Sequence, residues 1–172
     1  MALYAIGERT PTIHPTAFVH PEAVIIGDVT VGAEASVWPT AVLRGDTGQV
    51  VVGAQTSIQD GSVLHCTDTL DTIIGDRCVI GHRAHLEGCT IEDDSLVGSG
   101  SVVLHRAVVR SGGMVAAQAL VPPGTEVPSG AVAMGVPARI RPDAVPEGMI
   151  ASSVETYVRN AHWYNAHLRR IG

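Results

Sequence analysis

Side chains able to ligate a metal or move a proton crowd one stretch of this chain: Arg44 and Asp46, then Gln59 and Asp60, then His65, His82, His85 and Glu87. An imidazole beside a carboxylate either binds a divalent metal or is held in orientation by its neighbour. The same groups also make hydrogen-bond clusters between subunits. Which of these chemistries applies depends on whether the backbone brings the residues together, so the elements that carry them come next.

From Ile13 a branched aliphatic returns every six residues, at Val19, Ile25, Val31, Val37 and Leu43. The series resumes at Val52, Ile58 and Leu64, then at Ile74, Ile80 and Leu86, and finally runs from Ile91 through Val97, Val103, Val109, Val115, Val121 and Val127 to Ala133. Four positions after most of these stands a small residue, such as Ala23, Ala41, Ser62, Ala84 or Ala107. A large inward residue paired with a small corner residue at period six predicts a parallel β-helix, each short strand turning a corner and each coil stacking on the last. The pattern resembles the hexapeptide-repeat family, which implies a left-handed helix with three hexads to a triangular coil. Positions three hexads apart then become neighbours in space at about 4.8 Å.

That frame has consequences for the reactive residues. Leu43, Leu64 and Leu86 belong to one stack, so Arg44, His65 and Glu87 should lie one above another, all facing outward. Ile58 and Ile80 share a second stack, which sets Asp60 beside His82 near a corner. His85 also points outward, about 6.6 Å along the strand from Glu87. The frame slips between Leu43 and Val52, between Leu64 and Ile74, and between Leu86 and Ile91; the segment from Cys66 to Thr72 reads as a surface loop.

Residues 1–137 thus form the β-helix, 138–150 a linker rich in Pro and Gly, and 151–172 a terminal helix packed on the stack, the whole being one domain. Ser152 and Glu155 have capping-box spacing, and Val154, Val158, Ala161 and Leu168 recur along one face. Only 3% of the 172 residues are aromatic, which suits a narrow interior of small aliphatics. A net charge of −6 argues against a nucleic-acid partner. The chain shows no stretch of about 18 apolar residues and no signal-like N-terminus, so no membrane partner is expected and the cytoplasm is the expected location. Cys66, Cys78 and Cys89, odd in number, read as small core fillers.

Trp38-Pro39, Leu43-Arg44-Gly45-Asp46, Ile58-Gln59-Asp60-Gly61-Ser62-Val63-Leu64-His65 and Ile80-Gly81-His82 occur in order inside this frame and closely resemble the signature of the γ-class carbonic anhydrases. The resemblance runs over roughly residues 10 to 170 and includes the tail Met134-Gly135-Val136-Pro137-Ala138-Arg139, a form also found in hexapeptide acyltransferases. It implies a homotrimer with zinc sites between subunits that act on a small-molecule substrate. His65 matches the first ligand and His82 the one supplied across the seam. Where the family carries its third histidine this chain has Glu87, with His85 as the alternative third ligand. Ser57 stands where the family usually has Asn. By the same resemblance Gln59 would hydrogen-bond water at the metal, Arg44 and Asp46 would pair at the seam, and Tyr164 would match a tyrosine over the site. Asp60 and His85 are the candidates for carrying protons.

Two histidines and a glutamate are a catalytic zinc set that also accepts Fe2+, with Co2+ a further alternative. The expected activity is reversible hydration of carbon dioxide, weakened because an anionic ligand donates more charge to the metal than an imidazole does. Other functions open to the same residues are a metal-dependent acyl or thioester hydrolase, a hexapeptide acyltransferase, and a non-catalytic trimeric binding or assembly protein. The remaining histidines, His14, His20, His105, His162 and His167, read as surface or turn residues.

Overall fold

A computed structural model describes residues 1–172. The chain winds into a parallel β-solenoid of about seven turns, closed by one α-helix over Met149–His167. The first face stacks Ile25, Leu43, Leu64, Leu86, Val103 and Val121 in register. The second stacks Ile13, Val31, Val52, Ile74, Ile91, Val109 and Val127. The third stacks Val19, Val37, Ile58, Ile80, Val97, Val115 and Ala133. These are the period-six residues, and almost all are fully buried in one continuous core.

The small residues four positions later, among them Ala23, Ala41, Ser62, Ala84 and Ala107, are buried at the corners, where a larger side chain would collide with the next coil. The residue before the preceding corner's small side chain often turns through positive φ, as at Thr40, Arg83 and Gln118.

The first two frame slips are built in different ways. Between Leu43 and Val52 no loop forms. Val42–Val52 is one extended strand that pairs with Val24–Val31, shifting register after Gly27. Gly27 has φ 77, and a Cβ there would meet the carbonyl oxygen of Gly45 at 2.1 Å, so only glycine allows the two ribbons to run this close. Residues 67–71 form the expected surface loop, while Cys66 and Thr72 at its ends are buried; the loop is pinned where the Asp71 carboxylate accepts the Gln49 backbone N–H at 2.8 Å.

The terminal helix lies across the third face. Ile150 and Val154 pack on Val79, while Ala161, Tyr157 and Tyr164 pack on Phe18 and Trp38. It starts earlier than the capping-box reading places it. Gly148, in the left-handed conformation, is the N-cap, and Ser152 sits inside the helix with its hydroxyl donating to the Met149 carbonyl. Leu168 falls just past the last turn and is exposed. The Pro/Gly-rich stretch after Pro137 also contains order: Arg139–Arg141 folds back antiparallel onto Val132–Met134. No helix is long and apolar enough to cross a membrane.

All three cysteines are unpaired and buried, as core fillers should be. Burial pushes the thiols of Cys78 and Cys89 up to about 12, which keeps them protonated at neutral pH. Iodoacetamide should therefore leave the folded protein unlabelled at mildly alkaline pH and add three groups once urea unfolds it, read by intact mass. Rapid labelling without denaturant would show that the coils separate.

Candidate metal centre

The first face carries the reactive residues because its ladder is unbroken. Arg44 pairs in register with His65, and His65 with Glu87, so the three side chains project outward one above another. Hydrogen bonds join them into a row. Arg44 is ion-paired with Asp46. Asp46 Oδ1 lies 3.0 Å from His65 Nε2, and His65 Nδ1 lies 3.2 Å from Glu87 Oε1. The second oxygen of Glu87 faces His85 Nε2 at 3.3 Å. His65, Asp46 and Glu87 are mostly shielded from solvent, whereas Arg44 is about two-fifths exposed.

Burial by itself would raise both carboxyls. The hydrogen bonds from His65 and Arg44 outweigh it at Asp46, and those from His65 and His85 outweigh it at Glu87, so both lie below their ordinary values.

His82 occupies a different place. Its Nδ1 is 2.8 Å from Asp60 Oδ2 at a corner, and the pair is about half exposed above a polar hollow lined by Arg83, Ser99, Gly100 and Gln118. A carboxylate on one ring nitrogen turns the other toward solvent, the usual preparation of a ligating imidazole. Within one chain, then, His65, His85 and Glu87 come together while His82 stays apart.

Gln59 is buried at the corner below Gly81, its backbone N–H donating to the Ile80 carbonyl, and takes no part in the row of hydrogen bonds. Ser57 accepts the Trp38 indole N–H at 3.0 Å, as does Ser36, which ties the aromatic patch under the helix to the sheet. Tyr164 belongs to that patch, its ring 5.0 Å from Trp38 and 5.7 Å from Phe18. Tyr157, on the same helix face, packs on Trp38 with ring centroids 5.8 Å apart, and burial, then the negative charge of Asp60, raise its phenol. Its signal in the sequence is its separation from Tyr164 by two helical turns.

Reasoning from the sequence also missed His105, which the fold turns toward Glu87, its Nε2 3.7 Å from Oε1. The frame contains a signal for it. Leu86 and Val103 stack, so His105 overlies Gly88, and a Cβ on Gly88 would touch the His105 ring at 3.0 Å. Cys66, next to His65, brings its sulfur near Asp46 and His65, with the three donor atoms within 4.8 Å of one another. That sulfur already accepts the Gly48 backbone N–H at 3.1 Å from inside the core.

The donor chemistry suits a borderline divalent ion. Two or three imidazoles with a carboxylate form zinc sites. His65 supports this further. If its Nε2 carries the proton given to Asp46, a neutral ring presents a lone pair at Nδ1 to the Glu87 carboxylate, and a cation between them removes that repulsion.

A family model for the bacterial transferase hexapeptide, six repeats, matches residues 71–105. The chain is 47% identical over 139 residues to the carnitine operon protein CaiE of Escherichia coli K12, spanning 81% of this chain and 71% of that protein. It is 46% identical over 143 residues to the mitochondrial gamma carbonic anhydrase 1 of Arabidopsis thaliana, covering 80% of this chain and 52% of that one. Among solved structures, a hexapeptide transferase family protein from Anaplasma phagocytophilum superposes with a TM-score of 0.90 at 38% identity, covering 95% of this chain and 98% of that one. A putative acetyltransferase from Bacillus cereus gives 0.93 at 31% identity, covering 96% and 97%.

Because Asp46 and Glu87 have folded-state values below their unfolded ones, their contribution to stability is complete above about pH 4.5 and is lost as the pH falls through the folded values. In metal-free protein the thermal midpoint should drop on acidification below that point, and drop less in Asp46→Asn with Glu87→Gln. Equal acid sensitivity in the double variant would locate the labile groups elsewhere.

Proposed function

The chain belongs to the γ-carbonic anhydrase-like family of hexapeptide-repeat proteins, and on that premise we propose that it is a zinc-dependent lyase of low turnover that interconverts carbon dioxide and bicarbonate. The observation that carries this is the row Arg44, Asp46, His65, Glu87, held in register on one outward face, together with His82 turned outward by Asp60. His65 and Glu87 are donors from one subunit, and His82 from a second copy completes the set.

When bound, the ion supplies Lewis acidity that makes water nucleophilic near neutral pH. Asp46 fixes the ring of His65 through Nε2, and Arg44 fixes Asp46. Glu87 is an anionic donor, which lowers the acidity available to water and makes hydration slow. The Asp60 carboxylate, hydrogen-bonded to His82, is the group that would bind or pass on a proton.

A trimer follows from the same face. The outward residues beside the row, Val24, Val42, Val63, Val102 and Leu120, make an apolar strip interrupted only by His85. A closed ring of copies covers such a strip and brings His82 of one copy to the row of another. Unpaired buried thiols suit a reducing compartment, in keeping with the cytoplasm.

One observation favours a second reading. The His82 and Asp60 pair, open beside Ser99 and Gln118, has the form of a general base, and the solved relatives include a hexapeptide transferase family protein and a putative acetyltransferase. Acyl transfer from a thioester to a small acceptor would use it directly.

Stopped-flow hydration of carbon dioxide, measured with zinc content on the same samples, tests the first reading. Wild type should hold about one zinc per subunit with weak activity. Glu87→His should raise kcat by about tenfold or more at unchanged zinc content, since the neutral ligand restores acidity at the metal. No hydration in either protein at full zinc loading, with turnover of an acyl-CoA donor lost in His82→Ala, would establish acyl transfer instead.

A further inference from the structure

Beside the reactive row, the outward column of the first face reads Val24, Val42, Val63, His85, Val102 and Leu120, stacked in register one coil apart. His85 is its single polar member. Val63 on one side and Val102 on the other offer its ring no hydrogen-bond partner, and the strip is the surface that a ring of copies would cover. A polar group set in an apolar seam is costly unless it is paired. The partner it has is Glu87, two residues along the same strand and on the same outward side, where His85 Nε2 lies 3.3 Å from Glu87 Oε2.

This contact limits what Glu87 can do. A carboxylate only accepts, so the ring nitrogen facing it carries the proton. The other oxygen, Oε1, faces His65 Nδ1 at 3.2 Å. The two oxygens are thus divided, one held by His85 and one turned toward the second donor of the same subunit. A glutamate without such a restraint can swing its second oxygen onto a metal and bind through both. That would fill the place water needs, since catalytic zinc keeps three protein ligands and one open position.

We propose that His85 is a positioning residue for Glu87: by donating its Nε2–H to Oε2 it leaves Oε1 alone to face the ion and so keeps one coordination position open to water. The inference rests on the reading that Glu87 binds zinc across the seam with His65 and the second copy's histidine, and deepens it. It also gives a reason for a histidine in a column that is otherwise aliphatic.

The test replaces His85 in the whole protein by Val, which matches the column and should assemble as wild type does, and by Gln, whose amide can donate to the same oxygen. Co2+ in place of zinc reports coordination number, because a four-coordinate ion absorbs visible light strongly and one of higher coordination weakly. Wild type and His85→Gln should give the strong band, and His85→Val the weak one, at undiminished metal affinity measured by competition with a chelator. In the zinc forms, kcat for hydration should fall about 10–100-fold in His85→Val, the usual effect of removing a group that orients a ligand.

A band as strong in His85→Val as in wild type would overturn the proposal and leave the zinc reading intact. So would an equal weakening in both variants, or loss of the metal from His85→Val, which would make His85 a ligand itself. Wild type that binds neither cobalt nor zinc would overturn both.

Discussion

Register is the constraint on which everything else depends. Each coil of this solenoid contributes a few residues to each face, and each face is held to the next coil by parallel backbone hydrogen bonds about 4.8 Å apart. Because side chains alternate inward and outward, a slip of one residue would turn Leu43, Leu64 and Leu86 toward solvent and drive Arg44, His65 and Glu87 into the core. The cost of exposing three large aliphatics and burying three charged or polar groups far exceeds what any local contact could return. The aliphatic columns therefore do more than hold the molecule together. They set the height of every functional side chain relative to its neighbours, with an accuracy that loops do not reach.

This is also why so much was legible in the sequence. Once the period is six, adjacency in space is arithmetic: the row of Arg44, His65 and Glu87 and the pairing of Asp60 with His82 follow from counting, and both occur in the fold. What counting misses is where side chains lean. His105 sits at a turn, where the frame predicts position but not the direction of a ring, and only the empty space over Gly88 turns it toward Glu87. Tyr157 and Tyr164 share a helix face and both pack on Trp38, a tertiary contact that the spacing alone does not give. The capping-box spacing at Ser152 was overridden one turn earlier by Gly148, whose left-handed backbone starts the helix without a side chain's help. The path of the first insertion was not legible: a shift of register after Gly27 lets the two ribbons stay paired through it.

The electrostatics of the row show a division of labour among like groups. Asp46 and Glu87 are both carboxylates held in their charged forms by neighbours, yet their surroundings differ. Asp46 is neutralised by a guanidinium on one side and uses its other oxygen to fix a ring. Glu87 has only imidazoles around it, from His65, His85 and His105, and none of these is a permanent cation. A carboxylate so placed depends for its charge balance on imidazoles rather than on a guanidinium. A glutamate where the resemblance implies a histidine thus carries a different local charge as well as a different potential donor atom.

The short return strand Arg139–Arg141 has a consequence for the molecule as a whole. A parallel solenoid ends in a layer of unpaired backbone groups, each of which is a template for another coil. Here the chain doubles back and lays an antiparallel strand over Val132–Met134, carrying an arginine at either end. The next layer has already been supplied, in the opposite direction and with charge attached, by the same chain. On this third face, a second molecule arriving end-on does not find the parallel hydrogen-bond pattern it would need to continue the coil. One face of the stack thus has a built-in terminus.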